Sequence, residues 1–316
     1  MNMLRIGYLS TMYHTSHILR HLGWIEGSLQ CRPEWSLFGT GPAMVDAFAS
    51  GLLDLGYIGL PPAMIGIGRG VPLKCVAGGH MEGTVMIGGK GSFAAQSETE
   101  VFEAMRQFEG LSIGAPAAGS IHDVIARSLI EASGLTRTAM NNYPWADLIP
   151  DALSSGDIAA AFGTPPLAVL AHREFGHSTI IPPRLIWPCN PSYGIVVAES
   201  MHDSPDLIRQ FIELHERACN LIIEQPRTAA QAVAAQVKVV DEEFVMEVFS
   251  VSPRYCAALP PQYIASTMDF LPVLKRMGYL AADLSPDAVF DLEYIDAVHP
   301  AGHHYFKPLQ TEETPE

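Results

Sequence analysis

Residues 46–51 read Asp46-Ala47-Phe48-Ala49-Ser50-Gly51; a mostly apolar run to Ile58 follows, then Gly59-Leu60-Pro61-Pro62. The same order returns as Asp151-Ala152-Leu153-Ser154-Ser155-Gly156, an apolar run to Phe162, and Gly163-Thr164-Pro165-Pro166. In both, a small-residue helix is stopped at Ser-Gly, where glycine accepts the left-handed conformation that ends helices. A short buried strand comes next. Proline then falls in the first turn of a new helix, where its missing N–H costs nothing. Two such units mark a duplicated architecture. Strands alternating with helices through short loops predict an α/β fold with largely parallel sheets.

Working outward from the first unit, residues 4–9 read as a buried strand and 12–24 carry apolar residues at helical spacing. Strands are expected at 35–38, 54–58, 73–77 and 84–87, which complete a first set, with helices opening at Pro42 and after Gly59. A second set follows: strands at 111–114, 139–143, 158–162, 179–186 and 193–198, and helices at 98–108, 121–132, from 148, and from Thr164. From Pro205 the pattern is helical, with segments at 205–224, 228–235, 241–249 and 261–277.

In open α/β sheets, ligands bind beyond the carboxyl ends of the strands. The loops there are 10–15, 39–42, 59–62 and 78–83 in the first set, and 115–120 and 163–166 in the second. They are rich in Gly, Ser, Thr and Pro, and most lead into helices. Unpaired first-turn amides and the helix dipole suit such places to anions and polar groups. Thr40, Ser120 and Thr164 add hydroxyls.

Ile6-Gly7-Tyr8, Gly39-Thr40-Gly41-Pro42, the 51–56 run with Gly59-Leu60-Pro61-Pro62, and Gly119-Ser120-Ile121-His122 together resemble the substrate-binding proteins of ABC importers for nitrate, sulfonate, taurine, bicarbonate and thiamine-pyrimidine precursors. The resemblance covers residues 4–225. It implies a two-lobed type 2 periplasmic-binding-protein architecture, each lobe a mostly parallel sheet flanked by helices, closing like a venus flytrap about a hinge of two crossing strands. Lobe one would be residues 1–88 with 195–316, and lobe two 89–194. It implies first-lobe ligand contacts at Tyr13, His14, Thr40, Gly41, Gly59, Leu60 and Pro61, and second-lobe contacts at Gly119, Ser120 and Thr164. His80, at a strand end, and Trp145, in a Pro-flanked loop, are further candidates. The implied partners are a small-molecule ligand and an ABC permease; no cofactor is implied.

Charge and composition set limits. The chain has 316 residues, with 19 Lys+Arg against 34 Asp+Glu and a formal net charge of −15. That repels phosphate backbones, so nucleic acid is not an expected partner. Few cations fall in the cleft loops, so the expected solute is neutral or singly charged. No apolar stretch is long enough to span a bilayer. Five cysteines without a C-x-x-C pair do not form a full disulfide framework. His14, His17 and His21 share helical spacing, but nothing completes a metal set, and none is expected. No nucleophile elbow or P-loop occurs, so binding is expected rather than turnover. No signal-like segment precedes the first strand, which leaves a cytoplasmic location open beside the periplasmic one the resemblance implies. With His14, His80 and the five cysteines, it also motivates an alternative: an intracellular enzyme on this fold, of the pyrimidine-precursor or menaquinone-pathway type.

Overall fold

The computed structural model describes residues 2–310. Ten strands form two sheets: β1 (Asn2–Leu9), β2 (Cys31–Phe38), β3 (Leu55–Ile58), β4 (Leu73–Met81), β5 (Val85–Gly88), β6 (Ser112–Pro116), β7 (Ala139–Tyr143), β8 (Ala160–Gly163), β9 (Ser178–Ile181) and β10 (Pro191–Ala198). The first sheet has the order β2-β1-β3-β10-β4 and the second β7-β6-β8-β5-β9. In the first, β1 runs parallel to β2 and β3, while β10 is antiparallel to both neighbours. In the second, β6 runs parallel to β7 and β8, while β5 is antiparallel to both neighbours. The two sheets thus share one plan, as the repeated sequence unit suggests. The single reversed strand in each is the one that has just crossed from the other sheet.

Strands β3, β5 and β8 are buried at every position. Continuous apolar strands of this kind need helices on both faces. The long helix Pro205–Glu224 buries Ile208, Phe211, Ile212 and Cys219 and packs on β4. The C-terminal part therefore returns to the first sheet.

Three readings from sequence change. Residues 84–87, expected to complete the first set, pair in the second sheet as β5. Glu82, at φ 58°, turns the chain out of β4 just before it. The strand expected over 179–186 stops at Ile181, and Pro183–Ile186 is a helical turn. Pro182 and Pro183 donate no ladder hydrogen bond. The helix expected over 261–277 is two, Pro261–Met268 and Phe270–Arg276. Pro272 has no N–H for the Met268 carbonyl, so the first helix cannot run through.

The two crossings, 82–84 and 182–190, lie side by side. Glu82 N–H donates to Asn190 O at 2.9 Å, and Cys189 N–H donates to Glu82 Oε1 at 3.1 Å. Glu82 and Cys189 both hold positive φ, 58° and 56°. Side chains rarely tolerate that conformation, and here the reciprocal bonds hold both residues in it.

Candidate functional site

The carboxyl ends of β1, β2, β3, β6 and β8 point into one cleft. The loop after β1 brings Thr11, Tyr13 and His14. Thr40 caps the helix Gly41–Ala49, Gly59 caps Leu60–Gly68, Ser120 caps Ile121–Ala132 and Thr164 caps Pro165–Phe175. All four caps line the same cavity, two from each sheet's loops. The 39–42 and 115–120 segments therefore face a common hollow, as the sequence reading requires. Four helix N-termini give it a positive potential without a formal charge. The paired prolines thin out the donors: Pro61, Pro62, Pro165 and Pro166 present no N–H. The dipole is kept while few amides remain to satisfy.

The cavity is small, about 40 Å³. Lys, Arg, Asp and Glu are all missing from its lining. Tyr13 OH and Ser192 Oγ are 2.9 Å apart, and Thr84 Oγ1 lies 2.9 Å from His122 Nδ1. Burial holds the His122 imidazolium down, to about 4. His14 is also pushed well down, first by burial and then by the neighbouring histidines 17, 80, 215 and 122. Both rings are therefore neutral near neutral pH. Thr11 and His14 line the cavity, and their Oγ1 and Nδ1 atoms are buried with no hydrogen-bond partner. Buried polar atoms are nearly always paired, so these two mark where a guest or water belongs.

Of the residues singled out from sequence, Tyr13, His14, Thr40, Gly41, Gly59, Ser120 and Thr164 line the cavity. Leu60 and Pro61 are buried in the first turn behind it, and Pro62 faces it instead. Gly119 lines a neighbouring hollow with Tyr279, and its N–H is taken by Asp123 Oδ2 at 2.9 Å. Trp145 is half-exposed and lies over Gly39, while Ala146 beside it reaches the cavity. His80 packs behind Tyr13, its ring tilted at 52° and 4.8 Å away between centroids, and its Nε2 donates to Ser252 O at 2.6 Å. Glu82 turns to Cys189 and Arg254 rather than to His80. His21 is exposed, away from buried His14 and His17, so the three do not share a site.

Sequence reasoning passed over His122 and Ser192. His122 follows the quoted Gly119-Ser120-Ile121 and could have been found there. Ser192 could not, because it opens the reversed strand β10. An antiparallel strand brings its start, not its end, to the ligand edge.

The lobes are closed over the cavity. A Cβ on Gly39 would sit 2.7 Å from Pro144 O and 2.7 Å from Trp145, so only glycine lets these loops meet. Arg276 Nε bonds both Glu131 oxygens, at 3.0 and 2.9 Å. Tyr279 OH donates to the fully buried Asp123 at 2.6 Å. Asp123 also receives Arg127, Asn142 and the Gly119 amide, so Tyr279→Phe leaves the carboxylate paired. It should lower stability by about 1.5 kcal/mol, the worth of one bond to a charged group, read as a fall in the urea midpoint at unchanged slope.

Comparison with known proteins agrees with this geometry. No curated protein matches the chain in sequence. Among solved structures, it is similar to the ligand-binding component of an ABC-type import system from Staphylococcus aureus with zinc bound (TM-score 0.78, 16% identity, covering 95% of this chain and 100% of that one). It is similar to the alkanesulfonate-binding protein SsuA from Xanthomonas axonopodis pv. citri bound to MOPS (0.74, 17%, 92% and 98%). It is also similar to the periplasmic nitrate-binding protein NrtA from Synechocystis PCC 6803 (0.75, 14%, 95% and 88%). At these identities the likeness is one of fold, and it is the two-lobed fold that the strand-end motifs implied. The model of the NMT1-like family matches residues 2–239. With three-quarters of its length so matched, and both sheets and every cleft loop inside that span, the chain belongs to the NMT1-like family.

Proposed function

We propose that the protein is the solute receptor of an ABC import system, closing its lobes on a small neutral or singly charged anionic solute and handing it to a permease. One observation carries this reading: four helix N-termini from both lobes meet around a cavity whose buried Thr11 and His14 atoms lack partners. Dipoles and neutral hydroxyls without a fixed cation suit a singly charged oxyanion better than a doubly charged one. A cavity of about 40 Å³ favours nitrate, bicarbonate or a short carboxylate. A sulfonate or a pyrimidine needs the lobes further apart. The lobe division of 1–88 with 195–316 against 89–194 belongs to this proposal, and strand pairing supports moving its crossings to 82–84 and 182–190. A periplasmic or otherwise extracytoplasmic location is part of it too, supported by the neighbours named above. No helix among the described residues is long and apolar enough to cross a membrane.

The test is a melting screen on protein unfolded, washed and refolded to strip bound solute. Nitrate, bicarbonate, formate, taurine, an aromatic carboxylate and a pyrimidine would be compared. A true ligand at a hundred times its Kd adds about 2.7 kcal/mol, a shift of about 4 °C in a chain this size. Thr164→Val should abolish that shift. A flat response to every member would refute the reading.

A further inference from the structure

A second site lies away from the cleft, where the C-terminal segment folds back on the long helix. Glu216 of helix Pro205–Glu224, Cys256, and the pair His299 and His304 come from three separate stretches of chain. Each turns one ligating atom inward, and all four atoms lie within 4.8 Å of one another. From these residues we propose a tetrahedral metal site, of the kind that takes zinc, with Glu216, Cys256, His299 and His304 as its ligands.

The separations suit a metal. His299 Nε2 is 3.5 Å from Glu216 Oε1 and 3.4 Å from Cys256 Sγ. Tetrahedral zinc with bonds of 2.0–2.3 Å puts its ligand atoms about 3.3–3.8 Å apart. The His304 Nε2 to Glu216 Oε1 pair, at 2.5 Å, must open by about 1 Å. The outer contacts orient the set. His299 Nδ1 donates to Ala301 O at 2.9 Å, which leaves the Nε2 lone pair facing the carboxylate and the sulfur. Metal-bound histidines are oriented in this way. Ala257 N–H holds Glu216 Oε2 at 2.8 Å, and Ala258 N–H points at Cys256 Sγ at 3.4 Å. Without a metal these atoms are hydrogen-bonded in pairs, His304 Nε2 to Glu216 Oε1 and Cys256 Sγ to His299 Nε2, and a cation entering the point they share would displace the protons that join them.

Donor softness selects the ion. Thiolate and imidazole disfavour magnesium and calcium and favour zinc. Four protein donors make a closed structural site rather than a catalytic one. His299 also lines a surface hollow of about 470 Å³, which gives an ion a route in. The consequence is mechanical. The metal would pin residues 299–304 to the helix whose His215 bonds Thr15 beneath the cleft at 2.8 Å, stiffening the lobe from behind.

The test uses the full chain, stripped with a chelator, dialysed and titrated with zinc and, separately, with cobalt(II). One zinc per chain is expected, and a cobalt form with thiolate charge-transfer bands and tetrahedral d–d bands. Cys256→Ser and His299→Gln should each weaken binding by about 100-fold or more, while His303→Ala leaves it unchanged. If either variant fails to fold, His304→Gln, which can still bond Glu216, serves in its place. Absence of zinc uptake, an octahedral cobalt spectrum without a thiolate band, or full-strength binding by Cys256→Ser would overturn the site.

Discussion

Lowering the pH from 7 to 5 should cost this protein most of its stability. Five histidines are buried and neutral in the fold: His14, His17, His80, His122 and His215. Burial is the first cause in every case. It brings His17 to about 4, with Arg20 adding to the fall, and His80 to about 3 despite its bond to Ser252. His122 and His215 come to about 4, and His14 lies well below its ordinary value. In the unfolded chain each titrates near 6.5. Between pH 6.5 and about 4 the unfolded state therefore binds more protons than the folded one. Stability rises with pH across that window and is lost as pH falls through it. At pH 5 each ring contributes about 2 kcal/mol of loss, and five give about 10 kcal/mol as an upper bound. That is comparable to the whole stability of a folded domain. His304 works the other way. Burial lowers it, but Cys256 and Glu216 raise it further, to about 10; it is one group against five. Urea midpoints at pH 7, 6 and 5 should fall steeply. A midpoint constant across that range would show that these rings are not held neutral.

Gly78→Ala should be the most damaging single methyl in the molecule's C-terminal packing. Its Cβ would stand 2.1 Å from Tyr305 Oη and 2.5 Å from Ala258 O. The Gly78 amide donates to Ala257 O at 2.7 Å, and its carbonyl accepts from His215 at 2.9 Å. The strand therefore cannot shift without breaking bonds on both sides. Tyr305 itself is buried and tied to Ala258 O at 2.9 Å. Overpacking against backbone should cost about 3 kcal/mol or more, a melting-point drop of about 4.5 °C or more. Gly27→Ala is the control, with nothing within 4 Å of its Cβ. It should leave the melting point unchanged or slightly raised, because alanine favours the helix. Equal melting points for the two variants would mean that residues 256–258 and 305 do not pack on β4 as described.

The cleft was legible because its parts are local. A helix start has a signature of its own: Thr40 before Gly41-Pro42, Gly59 before two prolines, Ser120 three residues ahead of Asp123, Thr164 before two prolines. Short-range rules place these at strand ends, and strand ends in α/β sheets share an edge. The residues that sequence missed or misplaced depend on pairing instead. Ser192 and Thr84 open reversed strands, and His80 looks like a strand-end ligand until its ring is seen turned to Ser252.

The sequence alone determined the alternation of strands and helices, the duplicated plan and seven of the cavity-lining residues, since each depends on spacing within a dozen neighbours. Only the tertiary structure decided which strand belongs to which sheet, where the two crossings lock at Glu82 and Cys189, and that Glu216, Cys256, His299 and His304 meet. Those outcomes are set by hydrogen-bond pairing and packing between segments far apart in the chain, and no local pattern of residue types records such distances.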